Sequence, residues 1–162
     1  MSATERIPTR VSDRELTRRW TAVRRAMAEH AIDALVMQNA NDWLGGYVKW
    51  FTDLPANNGY PRSVIFHADD HMTIVEMGPF DERRRLDGSD VINRGVGEIL
   101  TTPSFLSIDF TQNYDGALVA GVLRHRGYRT IGTLGGGAFP QRFAATIEHE
   151  LAGHARLVDA TR

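Results

Sequence analysis

The sequence contains no cysteine and only one lysine, Lys49, among its 162 residues. Without cysteine, the chain has no disulfide bond, no thiolate metal site and no cysteine nucleophile. Long apolar runs are also missing, because no stretch reaches the roughly 18 residues that a membrane-spanning helix needs. The N-terminal tail, residues 1–11, has no apolar segment of the kind found in signal peptides. We therefore expect a cytoplasmic protein that does not bind a membrane.

An excess of either charge is missing as well. Lys and Arg together number 19 and Asp and Glu number 20, which gives a formal net charge of -1. Such a balance argues against the large basic surface that nucleic acids select. The one dense basic run, Arg83-Arg84-Arg85, directly follows Asp81 and Glu82. We interpret this run as a solvated loop or helix face, and we expect no nucleic-acid partner.

The clearest element in the sequence is its first helix. Apolar residues make up 42% of the chain, which is enough for a folded domain of this length. Ser12 and Glu15 have the spacing of a capping box, so the helix is predicted to begin there and to end near His30. Apolar residues then recur every three or four positions and form one stripe along the helix. These residues are Leu16, Trp20, Val23 and Met27.

Turn-forming residues and short apolar runs divide the remainder of the chain into further helices and strands. The predicted helices cover residues 41–51, 114–126 and 140–152, and the predicted strands cover residues 34–37, 63–66, 72–75, 91–93, 130–133 and 155–158. Asn113 is the predicted cap of the helix that follows it, and Pro140 the predicted first residue of the last helix. Residues 100–112 are predicted to form a loop. This order indicates a single α/β domain, residues 12–162, with a mixed β-sheet flanked by helices.

One segment resembles a zinc-protease helix but fails on geometry. The zinc motif needs two histidines at positions i and i+4, which lie on one face of a helix. His149 and His154 are five residues apart, about 140° around a helix of 3.6 residues per turn. Gly153 would also end the helix before the second histidine. We therefore predict a solvated helix end and no zinc site.

Other candidate motifs fail in the same way. Gly135-Gly136-Gly137 follows a predicted strand and precedes a helix, but its spacing matches neither common phosphate-binding pattern. The acidic and serine residues of this half of the chain lack the paired spacing of a metal or acid–base site and the elbow of a nucleophile. They are Asp109, Asp115, Glu148, Glu150, Asp159, Ser104 and Ser107. No catalytic residue and no metal ligand is predicted.

Aromatic residues are concentrated between positions 43 and 60, next to a turn-rich segment. One interpretation is a helix face that packs on the sheet. The other is a docking or ligand-facing surface, part of which remains exposed. For the second interpretation, the substrate-facing or interface candidates are Trp43, Tyr47, Trp50, Tyr60 and Arg62.

Four segments in this order resemble the N-terminal domain of the creatinase, prolidase and aminopeptidase P family. An arginine-rich helix leads into AEHAIDALVMQ, which resembles the family's Gly-Ile/Leu-Asp-Ala-Leu approach to its first strand. The stretch from Asn41 to Tyr47 resembles the family's Asn-x-x-Tyr-Leu-Thr-Gly-Phe/Tyr, with Trp43 where tyrosine is usual. RGYRTIGTLGGGAFPQRFAATIEHEL resembles a family strand, loop and proline-started helix, and ARLVDAT resembles the strand before the family's linker. The glycine loop departs from the family, where an acidic residue is usual.

The resemblance implies a non-catalytic domain. In this family the catalytic centre lies in a separate C-terminal pita-bread domain, where metallopeptidase members hold two divalent metal ions, Mn, Co or Zn. The implied parent is a Xaa-Pro dipeptidase, an aminopeptidase or a creatinase-type hydrolase. The expected partners are that catalytic domain and a second copy in a homodimer, and the domain would form one wall of the active-site cleft. The alternative is a free-standing small-molecule- or protein-binding module with no catalytic domain.

Overall fold

The computed structural model describes residues 10–39, 46–55 and 59–161, which form four α-helices and one seven-stranded sheet. In chain order the elements are α1 (Asp13–Glu29), β1 (Ala34–Asn39), α2 (Gly46–Thr52), β2 (Arg62–His67), β3 (Met72–Met77), β4 (Glu82–Arg85), β5 (Val96–Thr102), α3 (Gln112–His125), β6 (Thr130–Thr133), α4 (Gln141–Leu151) and β7 (Arg156–Asp159). The prediction of one α/β domain with a mixed sheet is confirmed.

The strands lie in the order β4-β5-β3-β2-β1-β6-β7. Strand β2 is antiparallel to both β1 and β3, so the two predicted strands at 63–66 and 72–75 form a hairpin, and β4 is antiparallel to β5. The pairs β3–β5, β1–β6 and β6–β7 are parallel. The carboxyl ends of β1, β3, β5, β6 and β7 therefore meet at one edge of the sheet, which we call the carboxyl edge.

The sheet separates two apolar layers, because successive side chains of a strand point to opposite faces. Leu35 of β1 and Phe66 of β2 lie in the layer beneath α1 and α2. Val36 and Ile65 lie in the layer beneath α3 and α4. Each such side chain contributes about 1.5–3 kcal/mol when it is fully buried. The short apolar runs of the sequence are thus strands buried on both faces.

Helix α1 follows its predicted pattern closely. The Ser12 Oγ accepts a hydrogen bond of 3.2 Å from the Glu15 backbone N–H, and His30 caps the other end. The Glu15 carboxylate accepts hydrogen bonds from the side chains of Arg18 and Arg19. The predicted stripe packs toward the sheet, with Leu16 and Met27 buried and Trp20 and Val23 partly buried.

A nearly buried arginine ties the start of the described chain to the body of the domain. Arg94 donates hydrogen bonds to the Val11 carbonyl at 2.6 Å, to Asp13 at 2.7 Å and to Asp53 at 2.8 Å. It therefore joins three segments that are far apart in sequence: the entry to α1, the end of α2 and the loop before β5. A buried arginine with several partners holds such a junction only while its carboxylates stay in place.

The sequence interpretation is wrong at residues 83–85, 91–93 and 100–102. The predicted strand at 91–93 is a turn, because the Asp90 carboxylate accepts hydrogen bonds from the Ile92 and Asn93 backbone N–H groups at 3.0 and 2.6 Å. The strand lies further on, as β5, within the stretch partly predicted to be loop. The run Arg83-Arg84-Arg85 is solvent-exposed as expected, but it belongs to the edge strand β4.

Two helix starts also differ from their predictions. Helix α3 begins at Gln112, and Thr111 rather than Asn113 precedes it, without a side-chain capping hydrogen bond. Pro140 is the N-cap of α4 rather than its first helical residue. The predicted start of the helix at residues 41–51 lies outside the described residues. Among the helices of the described ranges, none has the length and apolar character needed to cross a bilayer.

Candidate functional site

The residues predicted to form one aromatic surface lie in two separate places. Tyr47 and Trp50 are on α2, and each is 41% exposed. Tyr60 lies at the carboxyl edge, where its ring contacts that of Phe105 at a centroid distance of 5.9 Å. Trp43 lies outside the described residues. The structure thus places Tyr60 apart from Tyr47 and Trp50.

Arg62, the one cation among these candidates, is engaged within the fold. Its Nε donates to Glu76 at 2.9 Å across the β2–β3 pair, and its Nη1 donates to the Pro55 carbonyl at 2.8 Å. Only 12% of its side chain is exposed. Arg62 therefore stabilises the carboxyl edge, and its predicted role toward a substrate or partner stays a prediction.

The rings at this edge form two contacting groups, Tyr60 with Phe105 and Tyr114 with Phe80 and Phe110. We call these five residues together the aromatic edge cluster. The ring centroid of Tyr114 lies 5.2 Å from that of Phe80 and 6.2 Å from that of Phe110. Phe80 is 58% exposed and Phe110 53% exposed. Several large exposed rings in contact are unusual on a surface that faces only water.

The turns around β4 and β5 hold this cluster in place. Phe80 follows Gly78, where an added Cβ would lie 2.6 Å from the Thr101 Cβ, so only glycine lets the chain pass this close to β5. The sequence interpretation missed Phe80, Phe105 and Phe110 because the segment lacks a helical or strand period. The signal available was the concentration of aromatic residues in a turn-rich stretch.

A buried polar pair lies at the same end of the sheet. The Ser104 Oγ donates a hydrogen bond to Asp115 Oδ2, and neither residue is exposed. Asp115 Oδ1 is buried and has no hydrogen-bond partner among the residues that the structure describes. Burial raises the pKa of Asp115 to about 7, against a smaller lowering by the Ser104 hydrogen bond. Because both side chains are fully buried, we interpret the pair as a structural contact of the core.

A second buried polar group is centred on His67. Its Nδ1 lies 3.1 Å from the Tyr128 hydroxyl and its Nε2 lies 3.0 Å from the Thr73 Oγ1. Thr73 in turn donates to Glu98 at 3.1 Å. Burial disfavours the imidazolium and lowers the pKa of His67 to about 4. The ring is therefore neutral at physiological pH and satisfied on both sides by hydroxyl groups.

A groove of about 770 Å³ lies on the α1 side of the sheet. Apolar side chains of the sheet and its loops form the floor, including Leu35, Leu134 and Val158. Tyr47 and Trp50 form one wall. Two of the predicted candidate residues, Tyr47 and Trp50, therefore line this groove.

No metal centre is present within the part of the chain that the structure describes. There, no group of three or more His, Cys, Asp or Glu side chains is arranged to hold an ion. His149, from the rejected zinc motif, has 87% of its side chain exposed at the end of α4. The two metal ions implied by the family resemblance would lie in the catalytic domain, and that expectation stays a prediction.

Comparison with known proteins finds similar structures but no similar sequence. No family model and no curated protein matches the sequence. The N-terminal domain of the cytoplasmic peptidase PepQ from Mycobacterium tuberculosis H37Rv superposes with a TM-score of 0.57 at 14% identity, over 89% of this chain and 93% of that one. A proline dipeptidase chain from Streptococcus pneumoniae gives 0.52 at 7% identity, over 88% and 90%.

A longer neighbour shows how much of such an enzyme this chain corresponds to. The Xaa-Pro dipeptidase from Bacillus anthracis superposes with a TM-score of 0.55 at 11% identity, over 90% of this chain but 34% of the dipeptidase. The present chain thus spans about a third of that enzyme. The order of the four sequence segments and these superpositions agree: this chain has the fold of the N-terminal domains of Xaa-Pro dipeptidases.

Proposed function

We propose that this chain acts as the non-catalytic N-terminal domain of a Xaa-Pro peptidase or creatinase-type hydrolase. The superposition over nearly the whole of an isolated PepQ N-terminal domain carries this proposal. The absence of a metal-ligand group within the described residues supports it. The catalytic domain, with two divalent ions in a metallopeptidase, would belong to another part of the protein, and the protein would work in the cytoplasm.

The aromatic edge cluster is the surface that we assign to contact with the catalytic domain or a second subunit. Phe80 and Phe110 are each more than half exposed, and Tyr114 links their rings. Covering such rings removes apolar area from water, and this burial favours association by about 25 cal/mol per Å². Aromatic side chains are also frequent anchors of protein interfaces. The cluster would then form part of the wall of the active-site cleft or of the homodimer contact.

The test uses the complete reading frame of the gene that encodes this chain. The complete protein should hydrolyse Xaa-Pro dipeptides or creatine, while residues 1–162 alone should hydrolyse neither. Replacing Phe80 and Phe110 together by serine should weaken the domain or subunit association roughly tenfold or more, as measured by analytical ultracentrifugation. Val91→Ser is the matched control, because Val91 is 69% exposed at the opposite edge of the sheet.

Two results would overturn this assignment. A complete reading frame without a hydrolase domain would favour the alternative, a binding module that acts alone. Equal association of the double variant and the Val91→Ser control would move the contact surface away from the aromatic edge cluster. The expectation that the protein binds neither nucleic acid nor a membrane stays a prediction.

A further inference from the structure

The groove on the α1 side exists because the helices leave part of one sheet face uncovered. Helices α1 and α2 pack over the apolar layer that includes Met27, Leu35 and Phe51. Val158 of β7 lies beyond them and lines the groove, as does Leu134, which follows β6. The volume of about 770 Å³ lies within the roughly 300–1,000 Å³ typical of small-molecule sites.

Two glycines bring the backbone into close contact with side chains that line the groove. An added Cβ at Gly132 would lie 2.6 Å from the Leu35 Cδ2 and 2.9 Å from the Ala160 Cβ. At Gly135, where φ is +66°, it would lie 2.9 Å from the Tyr47 ring. Glycine at these two positions therefore sets the depth of the groove and the place of the Tyr47 ring.

Two charged residues line the groove, Arg156 and Asp159. Arg156 lines it from β7, and no carboxylate of the described residues forms an ion pair with its guanidinium. Asp159, the acidic residue in the lining, is already engaged: its carboxylate accepts hydrogen bonds from the Thr161 backbone N–H at 2.9 Å and from the Thr161 hydroxyl. An apolar groove with an available guanidinium at its rim complements a ligand that has an apolar body and one anionic end.

We propose that this groove binds a small apolar carboxylate, with its acyl or aryl body along Leu35, Leu134 and Val158 and its carboxylate at Arg156. Tyr47 and Trp50 would cover the side of the bound body. This inference does not depend on the proposed role of the domain in a hydrolase, because it concerns a different face from the aromatic edge cluster.

Decanoate, decanol and decylamine form a matched set of probes, since they share an apolar chain and differ in the charge of the head group. Isothermal titration calorimetry on the full chain, below the concentrations at which the probes form micelles, should show saturable binding in the order decanoate, decanol, decylamine. Arg156→Gln should weaken decanoate binding about tenfold, as expected for a charge-assisted hydrogen bond, and leave decanol binding unchanged. Arg85→Gln, an exposed arginine on β4, is the control and should change neither.

The variant Trp50→Ala tests the position of the apolar body. It removes a half-exposed wall residue and should weaken decanoate and decanol binding by the same factor. No saturable decanoate binding by the parent chain would overturn the proposal. Equal loss of decanoate affinity in Arg156→Gln and Arg85→Gln would overturn the assignment of Arg156, because the effect would then report only the net charge.

Discussion

The buried carboxyl of Asp115 makes the stability of this domain depend on pH in an unusual direction. Its pKa rises from 3.8 to about 7 on folding because the side chain is removed from water. Between these values the unfolded chain has released the proton while the folded chain retains it. Unfolding therefore becomes easier as the pH rises. At about 1.36 kcal/mol per pH unit, the change over this window is about 4 kcal/mol.

His67 acts in the opposite direction over most of the same window. Its pKa falls from 6.5 to about 4 on folding, so the unfolded chain binds the additional proton between those values. The free energy of unfolding then rises with pH by about 3 kcal/mol. The contributions of Asp115 and His67 nearly cancel between pH 4 and pH 6.5, and only the Asp115 contribution continues to pH 7 and slightly above.

The variant Asp115→Asn separates the two contributions. Asparagine carries no charge, so the variant should gain stability over the parent as the pH rises, reaching about 4 kcal/mol at pH 8 and staying within about 1 kcal/mol of the parent at pH 4. Urea unfolding followed by tryptophan fluorescence at several pH values measures the difference. Asp109→Asn is the control, because the neighbouring Arg142 lowers the pKa of that exposed carboxyl. A parent-to-variant difference that is the same at pH 4 and pH 8 would refute the reasoning for Asp115.

Three further substitutions test the packing. Arg94→Met should lower the free energy of unfolding by about 3–5 kcal/mol, because it leaves the largely buried Asp53 without its cation; urea titration measures this, and a loss below 1 kcal/mol would contradict it. Gly95→Ala should cost about 1–3 kcal/mol, since its Cβ would lie 2.5 Å from the Trp20 ring at a φ of +71°. Gly121→Ala, which meets nothing within 4 Å inside α3, should instead raise the melting temperature, with a gain of about 0.5–1 kcal/mol; a gain from both glycine variants would contradict the close contact at Gly95.

The elements with strong local signals could be predicted from the sequence. Helix α1 has both a capping residue, Ser12, and an apolar stripe, and these two signals depend only on neighbours along the chain. The hairpin β2–β3 is similar, because turn residues separate two apolar runs. In both cases local preference and tertiary packing favour the same structure.

The failures lie where tertiary pairing overrides local preference. Glu82–Arg85 has no apolar residue, yet it is a strand because β5 pairs with it along the sheet. Val91 and Ile92 favour strand by composition, but the Asp90 carboxylate binds the backbone of a turn there. Neither the partner strand nor the side-chain acceptor can be read from a local window.

The candidate surface was only partly predictable for the same reason. Closeness in sequence groups Tyr47 and Trp50 with Tyr60, but in the structure Tyr47 and Trp50 line the groove and Tyr60 lies beside Phe105. The Ser104–Asp115 pair joins residues eleven positions apart across a loop, and no spacing rule connects them. Contacts of this kind follow from strand order, which the sequence alone did not provide.

The distribution of charge and apolar surface indicates which face of the domain is available for association. The edge strand β4 is exposed at all four positions and carries Glu82 and three arginines. The other edge strand, β7, has exposed Arg156 and Asp159 at its ends. Charged edge strands oppose the addition of another strand, so association by sheet extension is disfavoured at both sides.

The exposed rings of the aromatic edge cluster lie instead at the carboxyl edge, where backbone pairing plays no part. A subunit or domain that covers Phe80 and Phe110 would therefore bind through side chains, and its affinity should respond to these two residues rather than to the arginines of β4.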